Sequence, residues 1–282
     1  MSLLSRLLVT AATLWALSAQ AFAPQAGTWI VSAELDGKPG RGMAIDVQND
    51  TFVMQMYAYE SSGQPTFYLA VGTLSNNQVA APLTRYEGGR FFGSAPRSGV
   101  LAGNPGTVRM RFTSGIAGFV TFPGEPERAM HRVNFAYPFA QSSLRGVWSF
   151  NSLGSMGLTA EAVQLTTSAG STSGGNGILA TSDGRFGCEH QTSGELAGGV
   201  LCVKLNGSGQ VQRAYFFVYS VNEGEGYMQS VGVADDQLLS VRRLTTPSGV
   251  GTGIVIKEEP ASPADLGQLQ QRLAEAALRL QR

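Results

Sequence analysis

The sequence predicts an all-β protein, two tandem small antiparallel barrels of about eight strands each, followed by a short C-terminal helix. Three observations predict it. From the end of an apolar leader to about residue 245 the hydrophobic pattern has a period of two, in runs such as TFVMQMYAY, PTFYLAVGTL, TVRMRF and VQRAYFFVYS, as strands with one buried face require. Short turn clusters (ESSGQ, SNNQ, LNGSGQ, NEGEG) separate these runs, the punctuation of a sandwich or an up-and-down barrel. A Gly-x-Trp opening occurs twice, at Gly27-Thr28-Trp29 and Gly146-Val147-Trp148, and each block closes on an arginine-bearing strand, AMHRVNF with Arg132 and LLSVRRLT with Arg242 and Arg243.

Composition allows this reading and narrows the partners. The 282 residues are 43% hydrophobic and only 14% charged, with 36 glycines, enough apolar material for real cores and too little charge for a disordered chain. Lys+Arg and Asp+Glu both number 20. Without the leader's single charge, Arg6, the balance is 19 against 20, a net of −1, which offers no field to attract nucleic acid or an anionic bilayer.

Residues 1–23 read as a signal peptide: Arg6 supplies the positive start, LLVTAATLWAL the apolar centre, and AQA or AFA the cleavage site. The mature chain is therefore expected in the periplasm or outside the cell. No second apolar run of spanning length follows, so stable membrane insertion is not expected.

The first barrel is placed at 24–137. A large indole at the start of the first strand can plug one end of a barrel, and a guanidinium from the last strand can lie over its face, a contact of roughly 0.5 to 2 kcal/mol. Arg132 would then hold Trp29. The turn Pro39-Gly40-Arg41-Gly42 is a tight turn that could also present Arg41 at a barrel mouth to an anionic ligand group. Tyr57 and Tyr59 share one face of their strand, whereas adjacent Phe67 and Tyr68 point to opposite faces. Inward tyrosines would be the convergent polar groups of a ligand cavity; outward ones would form an aromatic patch for another protein or a glycan; plain cross-strand packing is the third reading.

The second barrel is placed at 138–246, with Trp148 held by Arg242 or Arg243, whichever points inward. Cys188 and Cys202 lie on two strand-like runs joined by the turn TSGELAGG. In an oxidising compartment this even pair is expected to be a disulfide, contributing about 3 kcal/mol in the chain-entropy model. A linker at 247–263, which includes a short strand GIVIKEE and the start of the break PASPAD, leads to a helix at 264–282 capped by Ser262 or Asp265. There Leu266, Leu269, Leu273, Ala276 and Leu280 repeat at alternating steps of three and four, an apolar seam that must dock on something because so short a helix is marginal alone. Its own barrel, a second copy of the chain and another envelope protein are the three candidates.

A Gly-x-Trp on the first strand with an arginine on the last resembles the calycin superfamily of lipocalins, fatty-acid-binding proteins and avidins. That resemblance implies eight-stranded barrels holding a small, mostly apolar ligand. The first block is also similar to a group of uncharacterised secreted bacterial β-domain proteins that carry a Gly-x-Trp, a Pro-Gly-x-Gly turn, a Tyr-x-Tyr strand and a Gly-x-Pro-x-aromatic-Tyr strand. Here these are Trp29, Pro39 to Gly42, Tyr57 with Tyr59, and Gly63-Gln64-Pro65-Thr66-Phe67-Tyr68. The second block has no such turn and reads TSDGRFGCEH where the aromatic hairpin would stand.

Catalytic signatures are missing: no GxSxG, HExxH or GxxxxGK[ST] occurs, and the two histidines, His131 and His190, read as packed or surface residues. No catalytic residue, cofactor or metal site is expected. The function that follows is an exported, non-catalytic binding module for a small apolar ligand or a protein or glycan partner. The alternative is an envelope assembly factor acting through its C-terminal helix, with homo-oligomerisation as one outcome.

Overall fold

The computed structural model describes residues 23–250 and 263–280. Most of the expected signal peptide, the expected GIVIKEE strand and Ser262, one of the two expected helix caps, therefore lie outside the described residues.

Eight strands form the first unit: β1 (Gly27–Val31), β2 (Gly42–Gln48), β3 (Thr51–Tyr59), β4 (Pro65–Thr73), β5 (Gln78–Glu87), β6 (Val100–Ser114), β7 (Ala117–Thr121) and β8 (Arg128–Arg132). They run up and down in sequence order and close into a barrel when β8 pairs with β1, in the register Trp29↔Arg132, Ile30↔His131 and Val31↔Met130. Alternation does the rest. Phe52, Met54 and Met56 of β3 point inward and Tyr57 and Tyr59 outward, because successive side chains leave a strand on opposite faces. The core is Trp29, Ile45, Phe52, Met54, Val108, Met110, Phe112 and Met130 with their neighbours; Phe112 meets the Trp29 ring edge-on at 5.6 Å.

Nine strands form the second unit: β9 (Gly146–Gly154), β10 (Gly157–Leu165), β11 (Thr167–Ala169), β12 (Gly175–Ala180), β13 (Phe186–Gln191), β14 (Val200–Leu205), β15 (Val211–Ser220), β16 (Glu223–Ser230) and β17 (Gln237–Thr245). Their order is β10-β9-β17-β16-β15-β14-β13-β12-β11. The sheet curls but does not close, and this departs from the expected eight-stranded barrel. One extra strand, the three-residue β11, pairs with β12 and leaves β10 a free edge. The expected disulfide is present: Cys188 and Cys202 are direct partners across β13 and β14.

Each Gly-x-Trp works in the same way at the backbone. The indole N–H donates to the carbonyl four residues earlier, Trp29 to Gln25 at 3.0 Å and Trp148 to Leu144 at 2.8 Å. Both glycines sit at strongly positive φ, +142° for Gly27 and +139° for Gly146, where a side chain would collide with Arg132 in one case and the Thr245 carbonyl in the other. The arginines differ. Arg243 lies over the Trp148 ring at 4.1 Å and the Tyr137 ring at 4.4 Å, and donates to the carbonyls of Ser143 and Arg145 at 2.6 and 2.8 Å. Arg242 points outward, largely exposed, 3.9 Å from Glu223. Arg132 stands opposite Trp29 as expected, but its guanidinium covers Gly27, donating to the Ala26 carbonyl and to Ser220 of the second unit. The register allows it: a neighbouring domain offers Arg132 an acceptor that a solitary barrel would not.

That bond belongs to a contact between the units. Gln25 donates to the Glu223 carbonyl at 3.0 Å, and the Gly115 N–H donates to the Glu225 carboxylate. Glu225 is half-buried there, and this partial burial raises its pKa.

The C-terminal helix α1 (Pro263–Leu280) answers what its seam docks on. Leu269, Leu273 and Ala276 are buried against Ile178, Ala180, Leu201, Val203, Leu205 and Ala214 on the outer face of the second sheet, with Leu266 and Leu280 at the margin. This explains why β13 and β14 have almost no exposed residue: one face meets the sheet's own interior and the other meets the helix. Gly187 permits the approach, since a Cβ there would come within 2.4 Å of Leu269.

Two outcomes follow. Leu273→Ala should lower unfolding free energy by about 2 to 5 kcal/mol in chemical denaturation, whereas Leu278→Ala, on the exposed side of the same helix, should change it by no more than about 0.5 kcal/mol. Arg243→Lys should destabilise the protein by about 2 kcal/mol or more, because one ammonium cannot satisfy two buried carbonyls and cover two rings; Arg242→Lys should be close to neutral in the same measurement.

Candidate functional site

In an up-and-down barrel alternate turns gather at opposite ends. The first barrel's Trp29 end carries the turns at 49–50, 74–77 and 115–116 and meets the second unit; the other end carries 32–41, 60–64, 88–99 and 122–127. At this second end the barrel opens in a cavity of about 440 Å³. Met56, Ala58, Leu83 and Phe122 form its apolar wall, and Tyr59, Tyr68, Arg41, Glu34 and Glu125 its rim.

Three of the five expected ligand-binding residues, Arg41, Tyr59 and Tyr68, thus meet at one mouth. Tyr68 faces the core, while Tyr59 reaches the rim from the outside of β3. Tyr57 and Phe67 are direct cross-strand partners on the outer wall and are both exposed. The tyrosine pair is therefore outward-facing, which removes the reading of two phenols inside a cavity.

Arg41 lines the mouth, but not as a free cation. Its Nε and Nη2 donate to Glu34 and its Nη1 and Nη2 to Glu125, at 2.5 to 3.1 Å, while its guanidinium carbon lies 4.6 Å over the Phe122 ring. These hydrogen bonds, Glu125 first, raise the arginine pKa, and Arg41 lowers that of Glu125. Arg128 lies 3.8 Å from the same Glu125. Two arginines and two carboxylates cancel, so the rim is polar without being an anion receptor. The chain bends earlier than expected, over 36–39 with Gly37 at φ +77°, so Pro39 to Gly42 is not a tight turn of its own but the approach to β2 that carries Arg41 over the mouth.

The second unit places two polar clusters that sequence reasoning did not assemble. At its open end Glu161 of β10 accepts from Lys204 and from the Tyr215 hydroxyl, with Arg213 at 3.9 Å, beside a cavity of about 550 Å³ lined by Thr181, Asp183, Arg185 and Phe186. This cluster spans the seam where β10 lacks a partner strand. At the tryptophan end His190 is completely buried, its Nε2 3.0 Å from the Tyr219 hydroxyl and its ring 4.3 Å from that of Phe139. Burial first and Arg243 second lower its pKa to about 4, and burial pushes Tyr219 up to about 12. A neutral imidazole with no exposed surface is a packing and hydrogen-bonding element. The sequence signal for both clusters was weak: each residue occupies an inward position of an ordinary strand, and only the curl of the sheet makes them neighbours.

Among the described residues no helix is long and apolar enough to cross a membrane. Comparison of the chain with known families, characterised proteins and solved structures returned no match.

His190 generates a pH prediction. Its folded pKa of about 4 lies below the ordinary histidine value of 6.5, so between these values the unfolded chain binds a proton that the folded protein refuses, and stability falls as pH is lowered from 6.5 toward 4. The full loss is on the order of 3 kcal/mol. His190→Gln should flatten this slope in denaturant titrations at stepped pH; an unchanged slope would assign the acid sensitivity elsewhere.

Proposed function

We propose that the protein is a non-catalytic binding module that works in an oxidising compartment outside the cytoplasm and holds a small, neutral, apolar ligand at the mouth of the first barrel. The observation that carries this reading is the composition of that mouth: an apolar wall of Met56, Ala58, Leu83 and Phe122 beneath a rim whose charges cancel among themselves. Binding pockets of this kind bury an apolar body and use a few polar groups for orientation; the Tyr68 hydroxyl and the Arg41 cluster are those groups here. The Cys188–Cys202 disulfide supports the compartment. The calycin-like arrangement of Gly-x-Trp and closing arginine is in keeping with a carrier. A glycan or protein partner would use Tyr57, Tyr59 and Phe67, whose exposed rings share the outer wall beside the mouth. Against the alternative of an assembly factor acting through its helix stands the burial of Leu269, Leu273 and Ala276 within the chain.

The test uses a neutral naphthylamine fluorophore as the apolar probe. The wild-type protein should enhance and blue-shift its emission. Ala58→Phe, which fills the mouth from an inward position of β3 without removing core atoms, should weaken binding by roughly tenfold or more, a loss of about 1.4 kcal/mol. Wild-type protein that leaves the fluorophore unchanged, or an Ala58→Phe variant that binds it equally well, would overturn the proposal.

A further inference from the structure

The β5–β6 hairpin continues past the barrel rim. Its paired part runs on through Arg85↔Gly103, Tyr86↔Leu101 and Glu87↔Val100, and its loop spans residues 88–99. Arg85 fastens the base, pairing with Glu60 of the neighbouring β3–β4 turn and donating to the Ala102 carbonyl at 3.2 Å. The loop itself is built. Ser94 N–H donates to the Phe91 carbonyl at 3.0 Å and the Ser94 hydroxyl accepts from Phe91 N–H at 3.1 Å, closing a four-residue turn with Gly93 at φ +82°. A turn that needs positive φ at its third position takes glycine there, which leaves Phe92 at the corner. Arg97 donates to the Gly89 carbonyl at 2.8 Å and lies 5.2 Å over the Phe91 ring.

This construction holds apolar side chains in water. Phe92 is wholly exposed, and Phe91, Val100 and Leu101 are 61–63% exposed. Exposed apolar residues are ordinary when scattered; four on one projecting hairpin, with an ordered turn setting two rings at its tip, are not. Behind them come amphipathic rings. Two residues beyond the Leu69↔Thr84 pair stand exposed Phe67 and Tyr86, and Phe67 is itself paired with exposed Tyr57. The charge of the tip is one-sided: residues 88–99, GGRFFGSAPRSG, contain Arg90 and Arg97 and no carboxylate, while the paired part below carries Glu87 and the Arg85–Glu60 pair.

We propose that this hairpin docks the protein on the surface of an anionic phospholipid bilayer, with Phe91 and Phe92 entering the interface, Arg90 and Arg97 at the phosphates, and the tyrosines at headgroup level. The order of chemistry along the hairpin is that of an interfacial anchor, apolar tip, cationic collar and aromatic belt. A convex tip suits lipid better than protein, because acyl chains yield around a wedge whereas a protein partner must supply a matching groove. The near-zero charge of the whole chain does not oppose it, since attraction to a charged surface acts within about a Debye length, roughly 10 Å, of the groups that touch it. The inference is independent of any ligand at the barrel mouth.

The experiment is co-sedimentation of the full mature chain with vesicles of phosphatidylglycerol and phosphatidylethanolamine, against vesicles of phosphatidylcholine alone. The wild-type protein should bind the anionic vesicles and be released by salt, with binding to phosphatidylcholine weaker by roughly tenfold. Phe91→Ser with Phe92→Ser should lower anionic binding by roughly tenfold or more, and Arg90→Gln should lower it while leaving the phosphatidylcholine value unchanged. Because the tip makes no core contact, an unchanged thermal midpoint certifies each variant's fold. Phe92→Trp gives an independent reading: its emission should shift to the blue on anionic vesicles and be quenched by brominated acyl chains. Wild-type protein that ignores anionic vesicles, or binds them equally well without the two phenylalanines, overturns the proposal. Tip-dependent self-association or protein capture without vesicle binding would equally overturn it and make the hairpin a protein-binding element.

Discussion

Three residue pairs between β1 and β8, from Trp29↔Arg132 to Val31↔Met130, set most of what is distinctive in this molecule. An antiparallel sheet of eight strands has two edges that would pair with anything extended, and joining the first strand to the last abolishes both. Closure also defines an inside, so that the period-two pattern becomes a core lined by Phe52, Met54, Met110 and Met130. It defines two ends as well. One is stoppered by Trp29; the other has only side chains to close it, and there Arg41 is drawn between two carboxylates over Phe122.

The second unit shows what happens when the same opening is not followed by closure. Trp148 has an arginine across its face, where Trp29 has the edge of Phe112, and makes the same backbone bond from its indole nitrogen. Yet β10 and β11 end as edges, and the structure compensates in two ways. Glu161, Lys204, Arg213 and Tyr215 bridge the seam from within. The helix covers the outer face of β12 to β15, turning a one-sided sheet into one buried on both faces. The disulfide joins the two strands at the centre of that doubly covered region, where slippage of register would expose the most apolar surface.

The repeated Gly-x-Trp, the strand runs, the disulfide and the helical seam were legible because each is a local pattern with one physical solution. The choice between Arg242 and Arg243 was not, since adjacent residues on a strand differ only in face and the bulge between β17 and β9 beside Arg243 is not written in composition. Arg132 was misjudged for a related reason: its partner Ser220 lies 88 residues away in another unit. Tyr57 and Tyr59 could be assigned to one shared face but not to the outer one, because large aromatics favour interiors and only the inward set of Phe52, Met54 and Met56 decides otherwise. The hairpin tip escaped notice because GGRFFGSAPRSG reads as a loop; its two phenylalanines acquire meaning once an ordered turn holds them away from the core.

The two tryptophan ends meet at one short turn. Ser220 receives Arg132 from the first barrel, and the carbonyls of Val221 and Asn222 receive Arg243 from within the second. Val221 sits at φ +58°, a conformation that a β-branched residue adopts only under constraint, and here the turn is gripped from both sides. The consequence is directional. With the stoppered ends joined back to back, the open mouth of the first barrel, its exposed aromatic wall and the projecting hairpin all lie at the end turned away from the second unit. The second unit then serves as the fixed base, and the surfaces available for binding are gathered at the opposite pole, where closure of the first barrel left an opening.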